Sequence, residues 1–294
     1  MLSPVMRPLA SFPLAARRRV RWVLADIDDT ITSEGRLTAD ALAAMERLTA
    51  AGFAVVPITG RPAGWCDHIA RMWPVAAVVG ENGAFYFRYD AKKRTLERRF
   101  LLDAATRSAN RRKLQDLARD ILARIPGAAL ASDQDYRDAD LAVDYCEDVA
   151  PLPRKDVDRI VAMMRAAGAH AKVSSIHVNG WFGDYDKLAM TRILFREKFG
   201  IELEAAKDAA VFVGDSPNDE PMFRFFPWAV GVANVRDFED RLDHEPAFVA
   251  RGRGGKGFAE VAAALLAARA SRGVRRPAVP RPRKPRSAGH GRAR

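Results

Sequence analysis

Short apolar runs recur along the chain, and each of the first three stops at a polar turn. They cover residues 22–25 (Trp-Val-Leu-Ala), 53–58 (Phe-Ala-Val-Val-Pro-Ile) and 75–79 (Val-Ala-Ala-Val-Val). Runs of this kind, without polar alternation, suit strands buried on both faces of a parallel sheet. Between them lie segments with helical spacing. Residues 39–51 carry Leu42, Met45 and Leu48 on one side, with Thr38 as N-cap and Gly52 as stop. Residues 63–73 follow Pro62, which suits a first helical position. Strand–helix–strand–helix–strand predicts a parallel sheet with its site in the loops at the strands' C-terminal ends.

After residue 83 the pattern changes. Residues 84–89 and 95–101 read as a hairpin around Ala91-Lys92-Lys93. Residues 103–125 and 154–167 read as helices, and 128–131, 141–146 and 171–181 as strands. Consecutive strands joined by tight turns predict an antiparallel α+β unit, so residues 84–183 are expected to be an inserted cap. From Asp186, an N-cap, the first pattern resumes with a helix over 187–199 and a buried strand over 209–213. Short strands over 229–232 and 247–249 and a closing helix over 257–270 follow. The expected fold class is α/β: a Rossmann-like parallel core from 22–83 and 184–271, interrupted by the α+β cap.

Composition narrows the class. An apolar content of 48% over 294 residues is enough for one large domain or two smaller ones with a substantial core. Cys66 and Cys146 stand far apart, which gives neither a disulfide framework nor a zinc spacing and fits a reducing cytoplasm. No apolar run approaches the ~20 residues of a membrane span. Pro4, Pro8 and Pro13 interrupt the N-terminal segment and its arginines come last, so it is not read as a secretion signal; Met6 is an alternative start.

The net charge of +11 suggests nucleic acid until it is located. Residues 1–21 hold five Arg and no acid; residues 272–294 hold eight Arg and Lys284, again with no acid. The intervening body is therefore slightly acidic, at −3. Both ends are expected to be disordered, and nucleic-acid contact to be at most nonspecific and confined to them.

The chemistry gathers where the apolar runs stop. Asp26, Asp28 and Asp29 follow the first run, and Thr59-Gly60-Arg61 the second. Asn82 follows the third, Lys187 opens a helix, and Asp215, Asn218 and Asp219 follow the strand over 209–213. If the chain stays extended, alternation puts Asp26 and Asp28 on one side, where a cation between them offsets their repulsion, and Asp29 on the other. This set suits phosphoryl transfer through a covalent intermediate. A carboxylate attacks phosphorus, a second one moves the proton, further carboxylates hold Mg²⁺, and hydroxyl and ammonium groups bind the phosphate oxygens.

Asp26-Ile-Asp-Asp-Thr30, Thr59-Gly-Arg61, Lys187 and Gly214-Asp-Ser-Pro-Asn-Asp219 resemble, in order, the four motifs of the haloacid-dehalogenase-like (HAD) phosphatases. The resemblance spans about residues 22–270. The insertion between the second and third motifs, entered through Glu81-Asn82-Gly83, resembles the large α/β-capped branch, which includes Cof-like, sucrose-phosphate and mannosyl-phosphoglycerate phosphatases. The resemblance implies Asp26 as nucleophile and Asp28 as general acid/base. It implies Thr59, Gly60, Arg61, Asn82, Lys187 and Asn218 at the phosphate or substrate, and Mg²⁺ held by Asp26, the Asp28 carbonyl, Asp215 and Asp219. Asp29, where many relatives carry Gly, is expected to point away from the metal. The implied activity is hydrolysis of a small phosphorylated metabolite, a sugar phosphate foremost. A phosphohexomutase using the same aspartyl phosphate is the alternative, and a nucleic-acid-associated protein the more distant one. The sequence leaves the oligomeric state open.

Overall fold

Trp22–Ala25, Ala54–Pro57 and Ala210–Gly214 lie side by side in a computed structural model that describes residues 6–270. Ala229–Gly231, Phe248–Val249 and the two-residue strand Arg7–Pro8 extend the sheet, and all six strands run parallel. Alternation along the strands feeds two cores. Val23, Ala25, Val211 and Val213 join the layer under the helices Ala39–Ala50 and Gly254–Ala270. Leu24, Val56, Ala210 and Phe212 join the opposite layer with Leu188, Met190 and Leu194. Trp22–Ala25 is flanked by Ala54–Pro57 on one side and by Ala210–Gly214 on the other. It is thus the point where the winding direction switches, and a crevice opens there at the strands' carboxyl ends.

A parallel bridge between Ile58 and Val79 continues this layer into Val78–Gly80, to which the hairpin Phe85–Asp90/Thr95–Phe100 adds in antiparallel fashion. The hairpin was expected within the cap, but it hydrogen-bonds to a core strand. Phe85, Phe87 and Phe100 explain this, since Phe85 stacks on Phe87, Phe100 packs at an angle against both, and all three join the core under the sheet. Four of the remaining strands form a separate antiparallel sheet in the order His170–Val173, His177–Trp181, Asp140–Asp144, Ala129–Leu130, and Thr32–Ser33 pairs with Arg36–Leu37 in a small hairpin. The helices Ala104–Arg124 and Arg154–Ala166 cover one face of it, burying Leu141, Val143 and Val178. By alternation, Asp140, Asp144, His177 and Asn179 occupy the other face.

Three further expectations are corrected. Residues 171–181 are two strands rather than one, because the Ser174 hydroxyl oxygen accepts from the His177 N–H (3.0 Å) and closes a turn. The helix that begins at Lys187 is α-helical only to Leu194; Phe195–Phe199 widens into a π-turn that Gly200 ends at φ 67°. Residues 6–21 were expected to be disordered, yet they pack: Phe12 is 1% exposed and stacks on Trp228 and Phe248, and Arg7–Pro8 adds to the sheet edge. Their apolar residues, Met6, Leu9, Phe12, Ala16 and Val20, outweigh the arginine-rich composition. The expectation for 272–294 lies outside the described residues.

Candidate active site

Asp26 prolongs the first core strand by one hydrogen bond, its N–H donating to Val213 O at 2.9 Å. The chain then leaves the extended conformation, and Asp29 sits at φ 52°, in the left-handed region. The alternation expected for Asp26 and Asp28 therefore does not apply. Each carboxylate has its own cation instead of sharing one. Asp26 Oδ1 accepts from Lys187 Nζ at 2.7 Å, and Asp28 Oδ1 accepts from Arg61 Nε at 2.8 Å.

Lys187 is placed by a helix start. The Asp186 side chain caps the helix by accepting from the Ala189 N–H at 2.7 Å. Gly83 packs against this cap at φ 106°, and a Cβ built there would fall 2.0 Å from Asp186 O. Lys187 Nζ also donates to Asp219 Oδ1 at 2.6 Å. Burial works to lower the pKa of this ammonium, but the charges of Asp219 and Asp26 prevail and raise it, so it stays charged.

Asp219 is fixed by the turn after Ala210–Gly214: its Oδ2 accepts from the Asp215 N–H at 3.0 Å. Asp215 accepts from Asn234 Nδ2 at 2.8 Å and from Thr30 Oγ1 at 3.3 Å. Oxygen atoms of Asp26, Asp215 and Asp219 all lie within 4.8 Å of one another. Burial pushes the Asp26 carboxyl up to about 8, Lys187 opposing and Asp219 and Asp28 adding. Asp215 is pushed well up by burial, then by Asp26 and Asp219. Buried carboxylates under this repulsion form a donor set that fits a hard divalent cation, and of the expected ligands the cluster contains these three side chains. The Asp28 side chain is not among them.

The remaining predicted residues form a second group. Thr59 is fully buried; its Oγ1 accepts from the Arg61 N–H at 3.0 Å, and its carbonyl accepts from the Asn82 N–H at 3.0 Å. Asn82 lies at φ 54°, and its Oδ1 is 3.5 Å from Asn218 Nδ2, which links the two groups. Asn82 Nδ2 is buried without a hydrogen-bond partner. Gly60 leaves room for it, since a Cβ there would lie 3.2 Å from that nitrogen. The Asn218 Oδ1 accepts from Ser216 Oγ at 2.9 Å.

Arg61, expected at the phosphate or substrate, pairs with three carboxylates instead, and two of them, Asp133 and Glu147, had no role in the sequence reading. Arg61 is 3% exposed and joins the core to the second sheet: besides Asp28 it donates to Asp133 Oδ2 (3.1 Å) and Glu147 Oε1 (2.6 Å). Glu147 is presented by a turn in which Asp144 accepts from the N–H groups of Cys146, Glu147 and Asp148. His177 Nε2 lies 2.9 Å from Glu147 Oε2. Burial pushes Glu147 up, but hydrogen bonds from His177 and Arg61 and the charge of Arg61 hold it at about 2. Glu81, at φ 44°, accepts from the N–H groups of Ala63, Asp138, Ala139 and Asp140, so it caps the helix after Pro62 and ties it to the second sheet. Arg137 reinforces the tie by donating to Gly60 O at 2.8 Å and Asp140 Oδ1 at 2.9 Å. Asn179 and Asn234 likewise act through neighbours, donating to Asp140 and Asp215. The hint in the sequence was the Glu81-Asn82-Gly83 turn at a strand end. Glu147 and Asp133 had none, because their distance from the first motifs depends on how the two sheets face each other.

A cavity of about 610 Å³ opens between the two sheets, lined among others by Asp29, Cys146, Glu147, Ser175, Asp215 and Arg253. Asp29, expected to be a bystander, thus faces the cavity, though it is outside the three-carboxylate cluster. Among the described residues no helix is long and apolar enough to cross a membrane.

Comparison with known proteins agrees with this geometry. The family model of haloacid dehalogenase-like hydrolases matches residues 23–118. No curated protein sequence matches the chain. Among solved structures, the C-terminal domain of trehalose-6-phosphate phosphatase from Candida albicans superposes with a TM-score of 0.66 at 13% identity, over 91% of this chain and 99% of that one. A HAD/COF-like hydrolase from Plasmodium vivax gives 0.63 at 14%, over 87% and 99%. Sucrose-phosphatase from Synechocystis, in complex with sucrose and phosphate, gives 0.57 at 15%, over 84% and 98%. The chain thus carries the haloacid dehalogenase-like hydrolase pattern in sequence over residues 23–118 and shares its fold with these solved structures over most of its length.

Proposed function

We propose that this chain is a Mg²⁺-dependent phosphatase that hydrolyses a small sugar phosphate through an aspartyl phosphate on Asp26. The observation that carries the reading is the buried chain Asp26–Lys187–Asp219, with Asp215 close enough to share a cation. The sucrose- and trehalose-phosphate phosphatases of similar fold support the substrate class. Free thiols at Cys66 and Cys146 support action in a reducing, cytoplasmic compartment.

Asp26, Asp215 and Asp219, with the Asp28 carbonyl, would hold the metal. When bound, Mg²⁺ offsets the repulsion between the nucleophile and the phosphate dianion and lowers the pKa of Asp26. Asp26 Oδ attacks phosphorus while the bond to the leaving oxygen breaks. Asp28 gives that oxygen its proton, then takes one from the water that attacks the aspartyl phosphate, and inorganic phosphate leaves as the Asp26 carboxylate is restored. Lys187 and the Thr59 hydroxyl donate to the phosphate oxygens, with Asn82 Nδ2 and Asn218 beside them. Arg61 holds Asp28 in place and would clasp the cap over the substrate, excluding water.

The test is release of inorganic phosphate from p-nitrophenyl phosphate and from a panel of hexose and disaccharide phosphates with Mg²⁺. Asp26→Asn should abolish release while keeping the far-ultraviolet spectrum and melting curve. Retained turnover by that variant would refute the nucleophile assignment, and isomerisation without phosphate release would convert the reading to a mutase.

A further inference from the structure

The cavity between the sheets reaches the acidic cluster at Asp215, which makes it the candidate place for the leaving group, and its charge is one-sided. Five carboxylates line it: Asp29, Glu34, Glu147, Asp215 and Asp237. Arg253 is the one cation among the described residues that line it, and Asp237 already engages both of its Nη atoms. The nearest other cations are also committed. Arg61 serves Asp28, Asp133 and Glu147, and Lys187 serves Asp26 and Asp219.

A divalent cation and the transferred phosphate dianion cancel in charge, so they leave this balance unchanged. Setting Asp215 aside for the metal, the leaving group meets four carboxylates and one engaged guanidinium. Glu147 is the one of these four that follows a strand of the second sheet, and it is held ionised by Arg61 and His177. An ionised carboxylate accepts hydrogen bonds and donates none. A second phosphate or a carboxylate on the substrate would find no unengaged cation here, only a neutral hydroxyl such as Ser175 Oγ, and would be desolvated against like charge. Hydroxyl and ammonium groups would be matched.

We infer that this site takes a leaving group that is neutral or cationic, rich in hydroxyl or amino donors, and free of any second anionic group. The inference rests on the phosphatase reading and sharpens it, since sugar phosphates differ widely in whether they carry a carboxylate or a second phosphate.

Three aryl phosphates that differ in their para substituent isolate the charge: 4-(aminomethyl)phenyl, 4-(hydroxymethyl)phenyl and 4-carboxyphenyl phosphate. With the full chain and Mg²⁺, kcat/KM for the carboxylate should fall at least tenfold below that for the hydroxymethyl compound, about 1.4 kcal/mol. The amine should equal or exceed the hydroxymethyl compound, and the gaps should narrow in 0.5 M salt. Asp237→Asn, which frees Arg253 at the exposed lip, should narrow the gap in kcat/KM between the carboxylate and the hydroxymethyl compounds. Equal turnover of the carboxylate and hydroxymethyl compounds by the wild-type chain would overturn the inference. If none of the three releases phosphate, the hydrolase reading falls instead. The charge preference is then read from the shift in melting temperature that each compound produces with Mg²⁺, and an equal shift by the carboxylate compound overturns it.

Discussion

Lys187 is the residue on which the buried acidic cluster turns. Buried and bonded to two carboxylates, it has no water to fall back on if either is lost. Lys187→Met should leave Asp26, Asp215 and Asp219 without their internal cation, lowering kcat at least 100-fold and making the metal-free protein less stable by about 3–5 kcal/mol in urea unfolding. Glu147 gives a prediction in pH. Its pKa of about 2 lies below its ordinary 4.5, so its contribution to stability is complete above pH 4.5 and is lost as pH falls toward 2. Glu147→Gln should remove that part of the acid-induced loss, which chemical denaturation between pH 2 and pH 5 would detect as a shallower slope. A slope identical to wild type would show that Arg61 and His177 gain nothing from the charge of Glu147. The sequence could point to Lys187 because a lysine after an N-cap stood in order with three other motifs. It could not point to Glu147, because nothing local to Tyr145-Cys146-Glu147 encodes the guanidinium that it meets.

The turn Glu81–Gly83 shows how an element joins separate motifs. It holds two consecutive non-glycine residues in the left-handed region, and four backbone N–H groups at the Glu81 carboxylate stabilise it there. Gly83→Ala combines a disfavoured φ with a 2.0 Å clash against Asp186 O. It should cost about 2–4 kcal/mol and displace the helix that carries Lys187, seen as a lower melting temperature together with a reduced kcat. A variant with unaltered stability and rate would show that the turn does not position Lys187. The N-terminal segment is the contrasting case. Phe12→Ala should destabilise by about 3–5 kcal/mol in urea, since a stacked, 1% exposed ring is removed from the core. The strands and helices of the core were legible because their apolar period is local. The segment over 6–21 was misread because its charge count concealed five spaced apolar residues, and the partners of Phe12 among them, Trp228 and Phe248, lie more than 200 residues away.

For the whole molecule, the proposed metal would be coupled to the fold. A cation that relieves the repulsion among Asp26, Asp215 and Asp219 binds the native state and not the unfolded one. Saturating Mg²⁺ should therefore stabilise the chain by about 2.7 kcal/mol at 100 times its Kd. Calorimetry after chelation and re-addition would measure this, and Asp215→Asn should abolish the Mg²⁺-dependent part. The sequence by itself determined the α/β class, the order of the core elements and the four loops that carry the cluster. Each of these follows from hydrophobic period and turn chemistry within a few residues. Tertiary structure alone decided that Asp26 and Asp28 take different cations, that the hairpin over residues 85–100 extends the core, and which carboxylates line the cavity. Those outcomes depend on how two sheets, separated along the chain, come to face each other. Contacts between distant segments are fixed by packing and burial and leave no local pattern to read.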